Sequence, residues 1–345
     1  MTRYIIRRLL QAIPLLFLVS LIAFVLLQNM GDPLATMGGR NVTRSSERER
    51  LTRQLGLDKP IYVQYLYWLI GNDWAKTDLD GDGVAETPGT RKGVLRGDFG
   101  TSFVNKGRPV TEVIWERLPN TLLLMLTAEA VIILGSLFIG IYSALRQYSI
   151  IDNTITAVAF ILYSMPVFFF GLVAMYIFAV NFKRWGLPSL PTVGMFDPQI
   201  GKTPAQVALH MVLPVATLAF TYLAAYSRYI RSTMLEVMNQ DFIRTAKSKG
   251  LPRRDIIFIH ALKNAALPIV TVVGLDLPFL LGGAIVTERI FAWPGMGRLF
   301  LDHLSRSDTT VVMGILMMIA VAVVVFQVIT DVVYAWLDPR IRYGR

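Results

Sequence analysis

Few residues in this 345-residue chain are of types that do chemistry, and their spacing excludes most reactions. There is no cysteine, which removes disulfides, thiolate metal sites and a cysteine nucleophile. His210, His260 and His303 lie in separate segments without the spacing of a metal site. The one nucleotide-like string, Gly201-Lys202-Thr203, ends a P-loop pattern in which Phe196 stands where the first glycine is required, and no strand precedes it. No nucleophile–base pair emerges, so the chain is not expected to be an enzyme. Three other features remain. Glu129 and Asp276 interrupt long apolar runs. In "DLDGDGVAET", Asp78, Asp80, Asp82 and Gly83 match the first half of a calcium loop; Glu86 falls at position 9, but Gly89 replaces the bidentate Glu at position 12. The stretch "DFIRTAKSKGLPRRDIIFIHALKNAALP", 241–268, is highly charged between two runs suited to lipid.

The elements that must carry these residues are membrane spans. Hydrophobic side chains make up 54% of the chain and charged ones only 17%, more apolar surface than a soluble core can bury. The net charge of +10 does not point to nucleic acid, because the basic residues flank apolar segments instead of covering a polar face; a lipid bilayer is the implied partner. A helix needs about 20 apolar residues to cross the hydrocarbon layer. Six segments qualify, at about 9–30, 121–144, 154–181, 207–227, 266–286 and 311–336. The first is too long for a signal-peptide core and lacks a cleavage site, so it reads as a retained span. With the N-terminus inside, fifteen Lys and Arg lie on inner segments against six in short outer loops. That places both termini in the cytoplasm.

The expected fold is therefore an all-α polytopic membrane protein with six transmembrane helices. Residues 1–30 form an N-terminal arm and the first helix, and 31–120 an extracytoplasmic helical subdomain with an acidic insertion at 73–96. Residues 121–345 form the core, with an inner loop at 228–265. The acidic insertion reads either as a structural calcium site (Asp78, Asp80, Asp82, Glu86) or as a plain acidic turn.

That inner loop cannot span lipid, since each central Lys, Arg or Asp costs roughly 2.5–3.5 kcal/mol on insertion scales. Its pattern predicts order nonetheless. Helix formers dominate 234–248, with Phe242, Ile243 and Ala246 on one side. Gly250 offers a C-terminal cap, Pro252 starts a second helix, and Ile256, Ile259 and Leu262 form one stripe. A solvated basic loop would serve topology alone; the ordered stripe and glycine corner favour docking onto a partner.

Glu129 and Asp276 both come near mid-bilayer depth. Either they line a polar translocation path and contact a substrate amino group, or each is a packed helix contact satisfied by Ser, Thr or Asn. As proton-relay carboxylates they would suit a secondary transporter. Arg228 and Asp331 read as interfacial anchors, Pro166 as a hinge or part of a lipid-facing Phe cluster, and Trp293-Pro294-Gly295-x-Gly297 as a tight turn with an interfacial Trp.

The inner loop resembles the coupling loop of ABC-importer permeases of the dipeptide/oligopeptide/nickel family, in Arg244-Thr245-Ala246-x-x-x-Gly250 and then His260-Ala261-Leu262-x-Asn264 and Pro268. The similarity extends to "RYIIRRLLQAIP", "LGLDKPIYVQYLYWL", "GDFGTSF", "RLPNTLLL", "ERIFAWPGMGRL" and "DVVYAWLDPRIRYG". The glutamate usual in coupling loops is absent, with Arg244 or Thr245 in its place. The resemblance implies a permease subunit in a prokaryotic inner membrane, paired with a second homologous permease, two cytoplasmic ATPases that hold ATP and magnesium, and an extracytoplasmic solute-binding protein. It implies no cofactor in this chain beyond the candidate calcium. Arg244, Thr245, Ala246, Lys247, Gly250, Arg253 and Arg254 would engage the ATPase. Trp293, Pro294, Gly295 and Gly297 would line the outer gate. The implied cargo is peptide, with nickel chelates, glutathione-like compounds and oligosaccharides as alternatives.

Overall fold

The computed structural model describes residues 2–30, 45–78, 85–105 and 107–337. Among the described residues the elements are helical, apart from a two-residue antiparallel ladder and an isolated bridge between Thr101 and Pro109. Helix α1 is Thr2–Gln28, α2 Ser45–Leu55 and α3 Ile61–Ile70. The ladder pairs β1 (Lys76–Thr77) with β2 (Thr87–Pro88). Then follow α4 (Val110–Leu145), α5 (Ile150–Ser164), α6 (Val167–Arg184) and α7 (Pro204–Met238). The remainder is α8 (Asp241–Ser248), α9 (Leu262–Gly283), α10 (Ile285–Ile290), α11 (Met296–Leu304) and α12 (Thr309–Leu337).

Among the described residues, five helices are long and apolar enough to cross a membrane, and a sixth span results if the bent pair Arg253–Ala266 and Ile269–Leu277, angled by 49°, counts as one. These match the six expected segments with two shifts: the bent pair begins at Arg253, ahead of the expected 266–286, so that its first arm covers the end of the expected inner loop. The third segment, expected at 154–181, is interrupted: α5 stops at Ser164, Met165 is extended, and Pro166 opens α6. Proline clashes with a helical residue before it and lacks the N–H that would continue the ladder. The membrane-length piece is therefore Val167–Arg184. Local signals set other ends. Thr203 caps α7 by accepting a hydrogen bond from Gln206 N, with Pro204 in the first turn, and Ser149 caps α5 through Asp152 N.

The chain forms two compact units. One comprises 120–298 with residues from both ends of the chain; there α7 packs against α5, α6 and α9. At its edge, Asp331 of α12 accepts a 2.7 Å hydrogen bond from Tyr4 and lies 3.3 Å from the Arg8 guanidinium. The other unit comprises 9–119 and 299–322. Its core gathers Leu27, Tyr65, Trp68, Val312, Met313 and Met317. Here buried Asp308 collects Ser102 Oγ (2.6 Å), Val104 N (3.1 Å), Thr310 Oγ1 (2.8 Å) and His303 Nδ1 (2.9 Å). Burial alone would raise its pKa, but these donors hold it down to about 2. The "GDFGTSF" segment is thus pinned through Ser102 to the start of α12.

Candidate functional site

Segment 241–265 folds around the expected glycine corner, with α8 as one short helix, while the expected second short helix is the opening of a helix that runs from Arg253 into α9. Gly250 has φ +73°, its N–H donates to Lys247 O (3.0 Å), and Leu251 N donates to Ala246 O (3.3 Å). This double closure needs the left-handed conformation that glycine adopts without strain. Space around Gly250 is open within 4 Å of where a Cβ would sit, so the corner is set by backbone geometry, not by crowding within this chain.

The segment is amphipathic across α8. Ile243 and Ala246 are buried in one cluster with Ile256, Ile257, Ala261 and Ala265, against Ile141 and Ala144 from the end of α4 and Ile230, Met234 and Val237 from the end of α7. Ala246 therefore faces this chain's own core. Arg244, Thr245, Lys247, Gly250, Arg253 and Arg254 are exposed. The apolar reading of the loop is reapportioned as well: Phe242 is 38% exposed, and Ile259, expected on the stripe, is 58% exposed with Phe258 beside it. A π-helical turn over Ile256–Ala261 shifts the register, so that Ile256 and Ile257 point inward together. Just beyond this module, Asp152 at the start of α5 takes a bidentate ion pair from Arg231, plus Ser143 Oγ (2.5 Å) and Tyr148 N (2.9 Å). The Arg231 guanidinium first, with the other donors, holds the Asp152 carboxyl at about 2 against its burial. Arg228 lies 4.1 Å over the Phe160 ring, joining α7 to α5 as an aromatic contact.

Glu129 on α4 and Asp276 on α9 interact electrostatically, and Tyr226 on α7 interacts with both. Tyr226 Oη donates to Asp276 Oδ2 at 2.7 Å, and Tyr222 stands one turn away, its ring edge-on to Tyr226 at 6.3 Å. Ile132, Ala219, Val272 and Val273 pack around them. The expected partner for a structural carboxyl, a Ser, Thr or Asn, is not what Asp276 uses. Glu129 is buried, and neither of its carboxyl oxygens has a hydrogen-bond partner in the described structure. Leaving such a group unmet costs on the order of 1–3 kcal/mol.

The turn at Trp293 is a closed knot. Trp293 is fully buried, so it is not an interfacial anchor exposed to lipid. Its indole Nε1 donates to Asn120 O (3.0 Å), and Asn120 Nδ2 donates to Pro294 O (2.9 Å). Buried Glu288 accepts from Thr121 Oγ1 (2.7 Å) and Arg298 N (3.0 Å), while Thr121 Oγ1 accepts from Met296 N (2.7 Å). A Cβ on Gly295 would collide with the Glu288 carboxylate, so glycine is the residue that fits. Gly297 lies in the first turn of α11. Sequence reading missed Glu288, whose signal was a carboxylate five residues ahead of the Trp293 turn. It also missed Tyr226, which carries no charge to draw notice. Of the candidate calcium ligands, Asp78 and Glu86 flank the β1–β2 ladder, and Asp80 and Asp82 lie outside the described residues.

Residues 136–343 match the family model described as binding-protein-dependent transport system inner membrane component, and 1–125 match the N-terminal model of the same system. The chain is 41% identical to the oligopeptide transport system permease protein AppB of Bacillus subtilis, over 99% of this chain and all of that protein. It is 35% identical to the dipeptide transport system permease protein DppB of Escherichia coli K12 over the full length of both. Among solved structures, the MetNI methionine ABC transporter in inward-facing conformations matches with a TM-score of 0.52 at 15% identity, over 66% of this chain and 97% of that one. That likeness is one of fold.

Proposed function

The chain belongs to the binding-protein-dependent transport system inner membrane component family, and we propose that it conducts peptides through the inner membrane of a prokaryote, with segment 241–265 as the dock for a separate cytoplasmic ATPase. Its relatives named as oligopeptide and dipeptide permeases, matched end to end, support peptide as the cargo. The observation that carries the docking reading is the division of α8. Ile243 and Ala246 anchor it in the core, while Arg244, Thr245 and Lys247 lie exposed on the outer face, Arg244 within 3.6 Å of the exposed Asp241 carboxylate.

A partner's acidic rim and carbonyls suit this basic face, because guanidinium and ammonium groups form charge-assisted hydrogen bonds with them. Phe242 and Phe258 add exposed apolar area on the same segment. The buried face explains transmission. It is packed among the ends of α4 and α7 and the helical turns leading into α9, so displacement of the segment moves three spans at once. In this reading two ATPases, holding ATP and magnesium, close on nucleotide and push the segments of this chain and of a second, homologous permease. The spans then open outward to accept cargo from a solute-binding protein, and hydrolysis resets them.

Reconstitution tests the assignment. Proteoliposomes holding this chain with its cognate permease, ATPases and binding protein take up tetraalanine only with ATP inside the ATPase compartment. Uptake by this chain alone, driven by a pH gradient, would contradict it.

A further inference from the structure

We infer that Glu129, Asp276 and Tyr226 form an intramembrane site that receives the ammonium group of the cargo as it passes; the inference rests on the peptide-permease reading. Glu129 lies close to the middle of the 36-residue α4, Tyr226 lies on α7 and Asp276 on α9, so three spans converge on the cluster. The other buried carboxylates supply the internal comparison. Asp152, Glu288 and Asp308 are each met by two or more donors. Glu129 is only 4% exposed, yet both its oxygens lack any donor, and no Lys or Arg of the described structure lies within ion-pair distance of it. Carboxyls kept for packing acquire donors, because a buried acceptor without one is penalised. A carboxyl kept without a donor beside a second acidic residue is suited to a donor that arrives from outside.

An ammonium group fits what is there. It brings three N–H donors and a positive charge to two carboxyls. Tyr222 and Tyr226 add ring faces that attract a cation. Every peptide with a free amino terminus carries this group whatever its side chains, so the site can serve many sequences. The cluster is closed in this structure, with Glu129 and Tyr226 both buried, so cargo reaches it when α4, α7 and α9 part.

Three measurements on the complete importer test the site. In proteoliposomes, Glu129→Gln lowers tetraalanine uptake at least tenfold while ATP hydrolysis stimulated by the binding protein stays within twofold of wild type, and Glu129→Asp recovers part of the uptake. A lipid-soluble carbodiimide labels Glu129; tetraalanine slows that labelling and the same concentration of N-acetyl-tetraalanine does not. The Glu129→Leu complex melts no lower than wild type, since no hydrogen bond is lost. Unchanged uptake in Glu129→Gln, failure of Glu129 to label, equal protection by the two peptides, or uptake that falls only in step with a lower melting temperature would each overturn the site. Failure of the wild type to carry tetraalanine would instead overturn the peptide-permease reading.

Discussion

Arg231 and Asp152, 79 residues apart in sequence, are joined by two parallel hydrogen bonds, Nε to Oδ1 and Nη2 to Oδ2, both 2.8 Å. Asp152 is 1% exposed and Arg231 25%, so removing the arginine leaves a buried carboxylate without its main donor. Arg231→Ala is expected to lose about 3 kcal/mol, and Arg231→Lys a part of that, because an ammonium cannot reproduce the planar fork. Chemical denaturation of the purified chain in detergent checks both.

Acid response follows from the same carboxyl and from Asp308. Both are held at about 2, below the value of about 3.9 expected for an unfolded Asp. A depressed folded pKa contributes stability that is present above the unfolded value and is lost as pH falls through the folded one. These two residues therefore impose no change between neutrality and about pH 5, and they weaken the fold from about pH 4 downward. Melting temperatures across that range test this, and Asp308→Asn should flatten part of the acid limb.

The knot at Trp293 predicts a steric effect. Gly295→Ala drives a methyl into the Glu288 carboxylate, so stability should fall by about 2 kcal/mol as in other overpacked sites. Trp293, now wholly buried, should move toward solvent, which a red shift of its fluorescence in a variant without the other indoles would record. An unshifted spectrum with unchanged stability would contradict the assigned packing.

Ala246 and Gly250 should respond differently. Ala246→Asp places a charge in the cluster of Ile243, Met234 and Ile257 and should unsettle the segment itself, with faster proteolysis near 240–250. Gly250→Val strains a backbone at φ +73° by about 1–2 kcal/mol, whereas Gly250→Asn is better tolerated, since asparagine visits that region and the space is open. Limited proteolysis and melting curves separate the three variants.

Much of this was legible in the sequence, for identifiable reasons. Membrane spans declare themselves by apolar length, and the corner at Gly250 by glycine followed by Pro252, because both are local properties of the chain. Direction was not legible. Helical spacing groups Ile243 with Ala246, but only the packing of Met234 and Ile141 around them shows that this face belongs to the chain's own core. The break at Pro166 needed the extended Met165 to become a boundary instead of a kink. Trp293 looked like an interfacial anchor because Asn120, whose carbonyl accepts from its indole, stands 173 residues away in sequence. The Tyr226–Asp276 contact spans 50 residues and two helices, beyond any local pattern.

The claim that the outward face of α8 docks the ATPase is tested most directly by the doubly reversed variant Arg244→Glu, Lys247→Glu. Both side chains are exposed, so the variant should insert and melt like wild type. It should nonetheless fail to retain ATPase subunits through affinity purification and lose ATP-driven tetraalanine uptake. Normal retention of the ATPase together with wild-type uptake would contradict the account.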